Sequence, residues 1–178
     1  MNKEWKDIQS NTQDVKIYKN NTMYTIKLKK VRENAILPER VTKGSAAYDA
    51  IIPEDYKLKY GKQIIPLGWC SAMPVCLEMN CRTRAGYAAK GLKCEINGVE
   101  IRIDADVRLG LIDSDYRNEI GVILDVKDPV VYLNDAYIRK GQALAQLDFA
   151  FVPETQLQVV GELDETERTG GFGQMNNE

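Results

Sequence analysis

From Met23 onward, apolar and polar positions alternate in short runs. Tyr24, Ile26 and Leu28 are interleaved with Thr25, Lys27 and Lys29, the period-two pattern of a half-buried strand. The same alternation recurs at Val75, Leu77 and Met79, at Val99, Ile101 and Ile103, and at Leu147, Phe149 and Phe151. Apolar runs over 120–124 and 130–133 predict two further strands. Asn97-Gly98 separates two alternating runs, and both residues tolerate positive φ, so the dipeptide predicts a tight β-hairpin. One interior stretch, residues 85–90 (Ala-Gly-Tyr-Ala-Ala-Lys), reads as a short helix. Many short strands broken by turn residues predict an all-β fold with jelly-roll-like packing.

The two ends of the chain differ from this pattern. Residues 1–22 are polar and weakly patterned, a polar N-terminal extension, and residues 163–178 close on a glycine-rich segment unsuited to regular structure. Residues 23–162 between them form the expected β domain. A chain of 178 residues suits one such domain.

Composition narrows the chemistry. The formal net charge of −2 carries no basic footprint for nucleic acid. The sequence has no apolar run of membrane-spanning length and no apolar core of a signal peptide near its start, so a cytoplasmic location is expected. Cys70, Cys76, Cys81 and Cys94 contain no Cys-x-x-Cys spacing and read as reduced strand or core thiols rather than a zinc site. Histidine is absent altogether, which removes Ser-His-Asp and Cys-His catalysis and every imidazole metal site. What remains is carboxylates, arginine, lysine, backbone amides and a hard cation. Phosphate chemistry with Mg2+ suits that inventory.

The most informative stretch is 110–120, Gly-Leu-Ile-Asp-Ser-Asp-Tyr-Arg-Asn-Glu-Ile. Asp113, Asp115 and Tyr116 sit in a polar break between apolar runs, placing a candidate base and a flat aromatic wall at one turn. This segment closely resembles the third signature motif of the trimeric dUTPase family, Gly-x-Ile-Asp-x-x-Tyr-x-Gly-x-Ile, departing at Asn118. Four other segments follow the family's order. Residues 44–49, Gly-Ser-Ala-Ala-Tyr-Asp, resemble the first motif, and residues 84–90, Arg-Ala-Gly-Tyr-Ala-Ala-Lys, resemble the second. Residues 140–147, Lys-Gly-Gln-Ala-Leu-Ala-Gln-Leu, resemble the fourth. Residues 168–173, Arg-Thr-Gly-Gly-Phe-Gly, resemble the fifth, one residue shorter.

The resemblance implies a jelly-roll-like dUTPase β-clip subunit, a homotrimer with shared active sites, and hydrolysis of dUTP to dUMP and pyrophosphate. Asp113 would activate the attacking water, and Tyr116 would pack under the sugar and exclude a 2′-hydroxyl. Asp49 would help organise the phosphate–Mg2+ cluster through water, with the metal held mainly by the substrate phosphates. Arg84, Ala85 and Gly86 would bind phosphate at a helix start, and Gln146 would face the phosphates. Arg168, Phe172 and Gly173 would belong to a flexible lid, with Arg168 on the terminal phosphate and Phe172 stacked on the base. Asp115 reads as a solvated turn residue.

Some positions depart from the family pattern. Ala85 replaces the usual serine, Gln174 and Met175 replace Ser-Thr in the tail, and Val107 stands where many relatives carry an asparagine near the base. The stretch from Lys90 to Gly110 is longer than usual by the Asn97-Gly98 hairpin. These departures keep a second reading open, a non-catalytic dUTPase-like nucleotide sensor or scaffold. A relative of dCTP deaminase is a third, opposed by the lack of a Ser-Ser/Arg arrangement around Arg84.

Overall fold

The structure, a computed structural model, describes residues 23–166. The expected N-terminal extension, 1–22, and the tail residues Arg168, Phe172 and Gly173 lie outside the described residues. Among those described, the chain forms thirteen strands and two short helices. The strands make four small antiparallel sheets, in the orders β1 (Lys27–Lys30), β5 (Trp69–Ala72); β10 (Gly110–Ile112), β6 (Leu77–Thr83), β13 (Ala143–Phe151), β2 (Tyr48–Ile51); β4 (Gly61–Pro66), β11 (Gly121–Val126), β9 (Ala105–Val107); and β3 (Tyr56–Lys57), β12 (Ala136–Ile138), β7 (Leu92–Ile96), β8 (Val99–Ile103). The all-β expectation is met.

The four-stranded sheet β10-β6-β13-β2 supports both halves of the candidate site. Its members are β2 (Tyr48–Ile51), β6 (Leu77–Thr83), β10 (Gly110–Ile112) and β13 (Ala143–Phe151). Leu77, Met79 and Cys81 alternate inward along β6, opposite Phe151, Phe149 and Leu147 of β13. The second sheet that matters combines β4 (Gly61–Pro66), β9 (Ala105–Val107) and β11 (Gly121–Val126). Val122, Leu124 and Val126 of β11 are fully buried, joining Trp69, Ile65 and Leu67 in one continuous core. Burying such side chains contributes roughly 1.5–3 kcal/mol each before ordering entropy is charged against it.

The hairpin at Asn97-Gly98 forms as expected. Strands β7 (Leu92–Ile96) and β8 (Val99–Ile103) pair with Ile96 opposite Val99, and Asn97 and Gly98 take φ of 52° and 78°. Two positive φ values match a type I′ turn, whose twist fits the flanking strands. The helix expected at 85–90 is α1 (Ala85–Lys90), which buries Tyr87. It stops at Gly91, whose φ is +83° and where a Cβ would meet the Ile103 carbonyl oxygen at 2.7 Å.

Two expectations fail locally. The run Val130–Leu133 is a short helix, α2, instead of a strand. The Asp128 carboxylate accepts from the Val130 amide at 3.0 Å, and the Asn134 amide donates to the Val130 carbonyl at 3.0 Å. With Pro129 in the αR region, this local side-chain bonding overrides the β propensity of two valines. Val75 is exposed and outside any strand, because a turn closed by the Leu77 amide on the Pro74 carbonyl at 3.0 Å delays β6 until Leu77. All four cysteines are free thiols, Cys81 and Cys94 being buried. No helix among the described residues is long and apolar enough to cross a membrane.

Candidate active site

Strand β10 runs out along β6, with Gly110 opposite Cys81 and Ile112 opposite Met79. The chain then turns through residues 113–116, closed by the Tyr116 amide donating to the Asp113 carbonyl at 3.1 Å, and returns as β11. Stem and turn together enclose a cavity of about 230 Å³. Asp113 and Tyr116 stand at its turn end, and Ile112, Ile120 and Ile123 supply apolar walls. Asp113 is exposed, and its carboxylate meets no donor among the described residues, which leaves it available to a water or a sugar hydroxyl. Asp115 is exposed in the turn, as expected of a solvated residue.

The loop is held by groups not singled out in the sequence. Glu119 accepts from the Gly68 amide at 2.9 Å and forms a forked pair with Arg32, Nε–Oε1 2.7 Å and Nη2–Oε2 3.0 Å. A two-pronged guanidinium–carboxylate pair restrains orientation better than a point charge. Its hydrogen bond to Glu119 is the chief cause raising the Arg32 pKa. Arg117 Nη1 donates to the Ser114 carbonyl at 2.7 Å and the Tyr116 carbonyl at 3.1 Å, stapling the turn to itself. Glu119 lies inside the motif, but its partner Arg32 is 87 residues away, so no local pattern announces the pair. Cys81 lines the cavity with its pKa pushed up to about 11 by burial, which keeps the thiol protonated and excludes it as a nucleophile near neutral pH.

A second cluster forms at the other end of β6. Arg84 caps α1, and its Nη2 donates to Asp49 Oδ2 at 3.1 Å while Nη1 donates to the Ala143 carbonyl at 3.4 Å. Asp49 is buried on β2, directly opposite Gln146 of β13. The guanidinium Nε is buried and finds no acceptor. An arginine held by a buried carboxylate and itself partly exposed suits an anion. Ala85 and Gly86 are exposed at the start of α1, where backbone amides lack intrahelical partners. Tyr87 braces the cluster from below, its hydroxyl donating to the Ala143 carbonyl at 2.8 Å and accepting from Gln142 at 3.1 Å.

The structure therefore unites Asp113 with Tyr116, and Asp49 with Arg84 and Gln146, but keeps the two groups apart. Asp113 follows the residue opposite Met79, near the start of β6, whereas Arg84 follows its end. About six residues of strand at ~3.3 Å each place them about 20 Å from one another. Val107 is buried in the core, and its carbonyl accepts from the Thr83 hydroxyl at 2.9 Å.

The dUTPase family model matches residues 33–175. The chain belongs to the dUTPase family. Among its relatives, the deoxyuridine 5′-triphosphate nucleotidohydrolase of Nautilia profundicola is 34% identical over 151 residues, covering 83% of this chain and 96% of that one. The corresponding protein of Solanum lycopersicum is 32% identical, covering 83% of this chain and 79% of that one. The dUTPase of Staphylococcus bacteriophage 80alpha with dUPNHPP superimposes with a TM-score of 0.68 at 22% identity, over 84% of this chain and 96% of that chain. A variant dUTPase from phage phi11 of S. aureus, described with a structural Mg(II) ion, gives a TM-score of 0.63 at 22% identity, over 78% and 97% of the two chains. These likenesses establish the dUTPase fold for the chain.

Proposed function

We propose that this dUTPase-family chain is a dUTP diphosphatase, hydrolysing dUTP to dUMP and pyrophosphate, with Asp113 as the base. The observation that carries the reading is the cavity in which an exposed, unengaged Asp113 and the ring of Tyr116 face apolar walls of nucleoside size. Asp113 takes a proton from the water that attacks the α-phosphorus in line with the departing pyrophosphate. Tyr116 packs against the deoxyribose, leaving no room for a 2′-hydroxyl. Arg84 and the first amides of α1 bind the phosphate chain, with Asp49 holding the guanidinium in place.

Mg2+ fits this scheme as a companion of the substrate. Among the described residues no group of three or more Asp, Glu, Cys or His side chains converges on a cation position. The metal would therefore travel on the triphosphate oxygens, with Asp49 reaching it through water, and would neutralise charge on the leaving group.

The separation of about 20 Å between the two clusters supports a homotrimer in which Asp113 and Tyr116 of one chain work with Arg84, Asp49 and Gln146 of a neighbour. The tail from residue 163, with Arg168, Phe172 and Gly173, would close over the bound nucleotide as a lid around the β domain of 23–162.

Ala85 favours one other reading. It stands exposed at the first position of α1 with no hydroxyl to offer the phosphate chain, as in a nucleotide sensor or scaffold that binds without turnover. The deciding experiment is pyrophosphate release from dUTP, dCTP, dTTP and UTP with Mg2+, using Asp113→Asn as control. Turnover confined to dUTP and lost in the variant supports the diphosphatase. Absence of turnover, with dUTP still raising the melting temperature, supports the sensor, and ammonia release from dCTP would mark a deaminase.

A further inference from the structure

We infer that Tyr87 is a positioning residue, whose ring and hydroxyl set the plane of the Arg84 guanidinium for the phosphate chain of the nucleotide. The inference rests on the phosphate reading of the Arg84 cluster above and extends it to a side chain that acts only through Arg84.

Tyr87 lies three residues after Arg84, and its amide donates to the Arg84 carbonyl at 2.9 Å. That spacing brings the two side chains to one face of α1. The Arg84 Cζ stands over the tyrosine ring, 5.6 Å from its centroid, and a guanidinium within about 6 Å of an aromatic face is attracted to it. The hydroxyl at the tip of the ring donates to the Ala143 carbonyl at 2.8 Å, the same oxygen that Arg84 Nη1 reaches at 3.4 Å. Strand β13 shifts register against β2 between Ala143 and Ala145, an irregularity of the kind that loosens the ladder and re-aims backbone groups. Gln142 fixes the hydroxyl from its other side, with Nε2 donating to the tyrosine oxygen at 3.1 Å and to the Lys93 carbonyl at 2.8 Å. One proton committed to Ala143 and one lone pair to Gln142 leave the hydroxyl a single orientation.

Arg84 needs this support because its other holds do not fix a plane. The Asp49 carboxylate meets one nitrogen, Nη2, at 3.1 Å, which anchors a point and leaves the fork free to pivot about it. The Ala143 carbonyl is too far from Nη1 to supply a strong second point. The buried ring of Tyr87, tied at its tip to Ala143 and Gln142, supplies the surface against which the guanidinium settles. The arginine is itself 31% exposed and open to a ligand. A phosphate is gripped through two parallel N–H bonds, so the strength of the grip depends on the orientation of the fork as well as on its charge. Asp49 governs where the charge sits, and Tyr87, which is neutral, governs how the fork is turned.

The test compares the affinities of dUMP and of the triphosphate analogue dUPNHPP, with Mg2+, by calorimetry. The proteins are the natural full chain, Tyr87→Phe, Tyr87→Leu, Arg84→Gln, and each Tyr87 variant combined with Arg84→Gln. Tyr87→Phe keeps the ring and its volume, so it folds even where Tyr87→Leu does not, and Arg84→Gln leaves Asp49 a donor. The preference for dUPNHPP over dUMP should fall about threefold in Tyr87→Phe and about tenfold in Tyr87→Leu, the range of one or two weak polar contacts. Neither change should alter the preference once Arg84 is glutamine, because the tyrosine acts through the guanidinium. A purely structural tyrosine would lower the melting temperature and weaken both nucleotides alike, leaving the ratio where it was, and that result overturns the inference. So does an equal fall in the Arg84→Gln background. If Arg84→Gln lowers the ratio but Tyr87→Phe does not, the inference fails and the phosphate reading stands. If Arg84→Gln itself leaves the ratio unchanged, the phosphate reading fails and the inference with it.

Discussion

The cavity at the 113–116 turn and the cluster around Arg84 are built in opposite ways. The cavity wall is almost entirely one run of chain, residues 108–123, with only Cys81 joining from β6. A strand, a turn and a returning strand position Asp113 and Tyr116 by local geometry. The second cluster draws Asp49 from β2, Arg84 from the end of β6 and Gln146 from β13, residues brought together by strand pairing and by the Arg84–Asp49 bond. One half is preformed by local chain, and the other depends on three strands pairing in the right register. Within one chain, β6 holds the two about 20 Å apart.

The strongest way to break this comparison is to disable one half in each of two proteins. Asp113→Asn and Arg84→Ala should each lower kcat by at least ~10²-fold. Unfolded together and refolded as mixtures, they should regain activity, because a mixed trimer has one site with both halves intact, about a quarter of all sites at random assortment. Mixed protein no more active than its parents would show that each chain completes its own site. Next in size is Ala85→Ser, which supplies a hydroxyl beside the phosphates and should raise kcat by about tenfold. Unchanged turnover, with dUTP bound, would argue against an enzyme that has merely lost its serine.

Smaller effects sharpen the contrast within the cavity itself. Glu119→Gln breaks the forked pair with Arg32 and should raise KM for dUTP a few-fold, since the turn carrying Tyr116 loses its anchor. Thermal unfolding should fall by only a few degrees, because the pair is partly exposed. A KM that stays put would assign the pair to stability alone. Smallest is Gly98→Ala, which forces a side chain into positive φ at the hairpin turn and should cost about 1 kcal/mol by chemical denaturation. Steady-state rates should not move, as the hairpin touches neither half of the site. A fall in kcat would instead link it to the cluster around Tyr87.

Legibility in the sequence follows the same division. The Asn97-Gly98 turn, the short α1 and the strands around 77–83 and 121–126 were readable because period and turn chemistry act over a few residues. The motif around Asp113 was readable for the same reason. The failures are local contests that periodicity does not record. At Val130–Leu133, the Asp128 and Asn134 side chains bind the backbone and make a helix from valines. At Val75, a turn closed by the Leu77 amide on the Pro74 carbonyl delays the strand.

The amino-acid sequence alone determined the all-β architecture, the absence of imidazole chemistry, and which carboxylate and which phenol share a turn. These depend on residue identity and short-range geometry. The pairing of Arg84 with Asp49, the bracing of the loop by Arg32 and Glu119, and the pairing of Arg108, which lines the cavity, with Asp125 were decided only by the tertiary structure. They join residues 17 to 87 positions apart, and such contacts exist only after strands from distant parts of the chain have found their register.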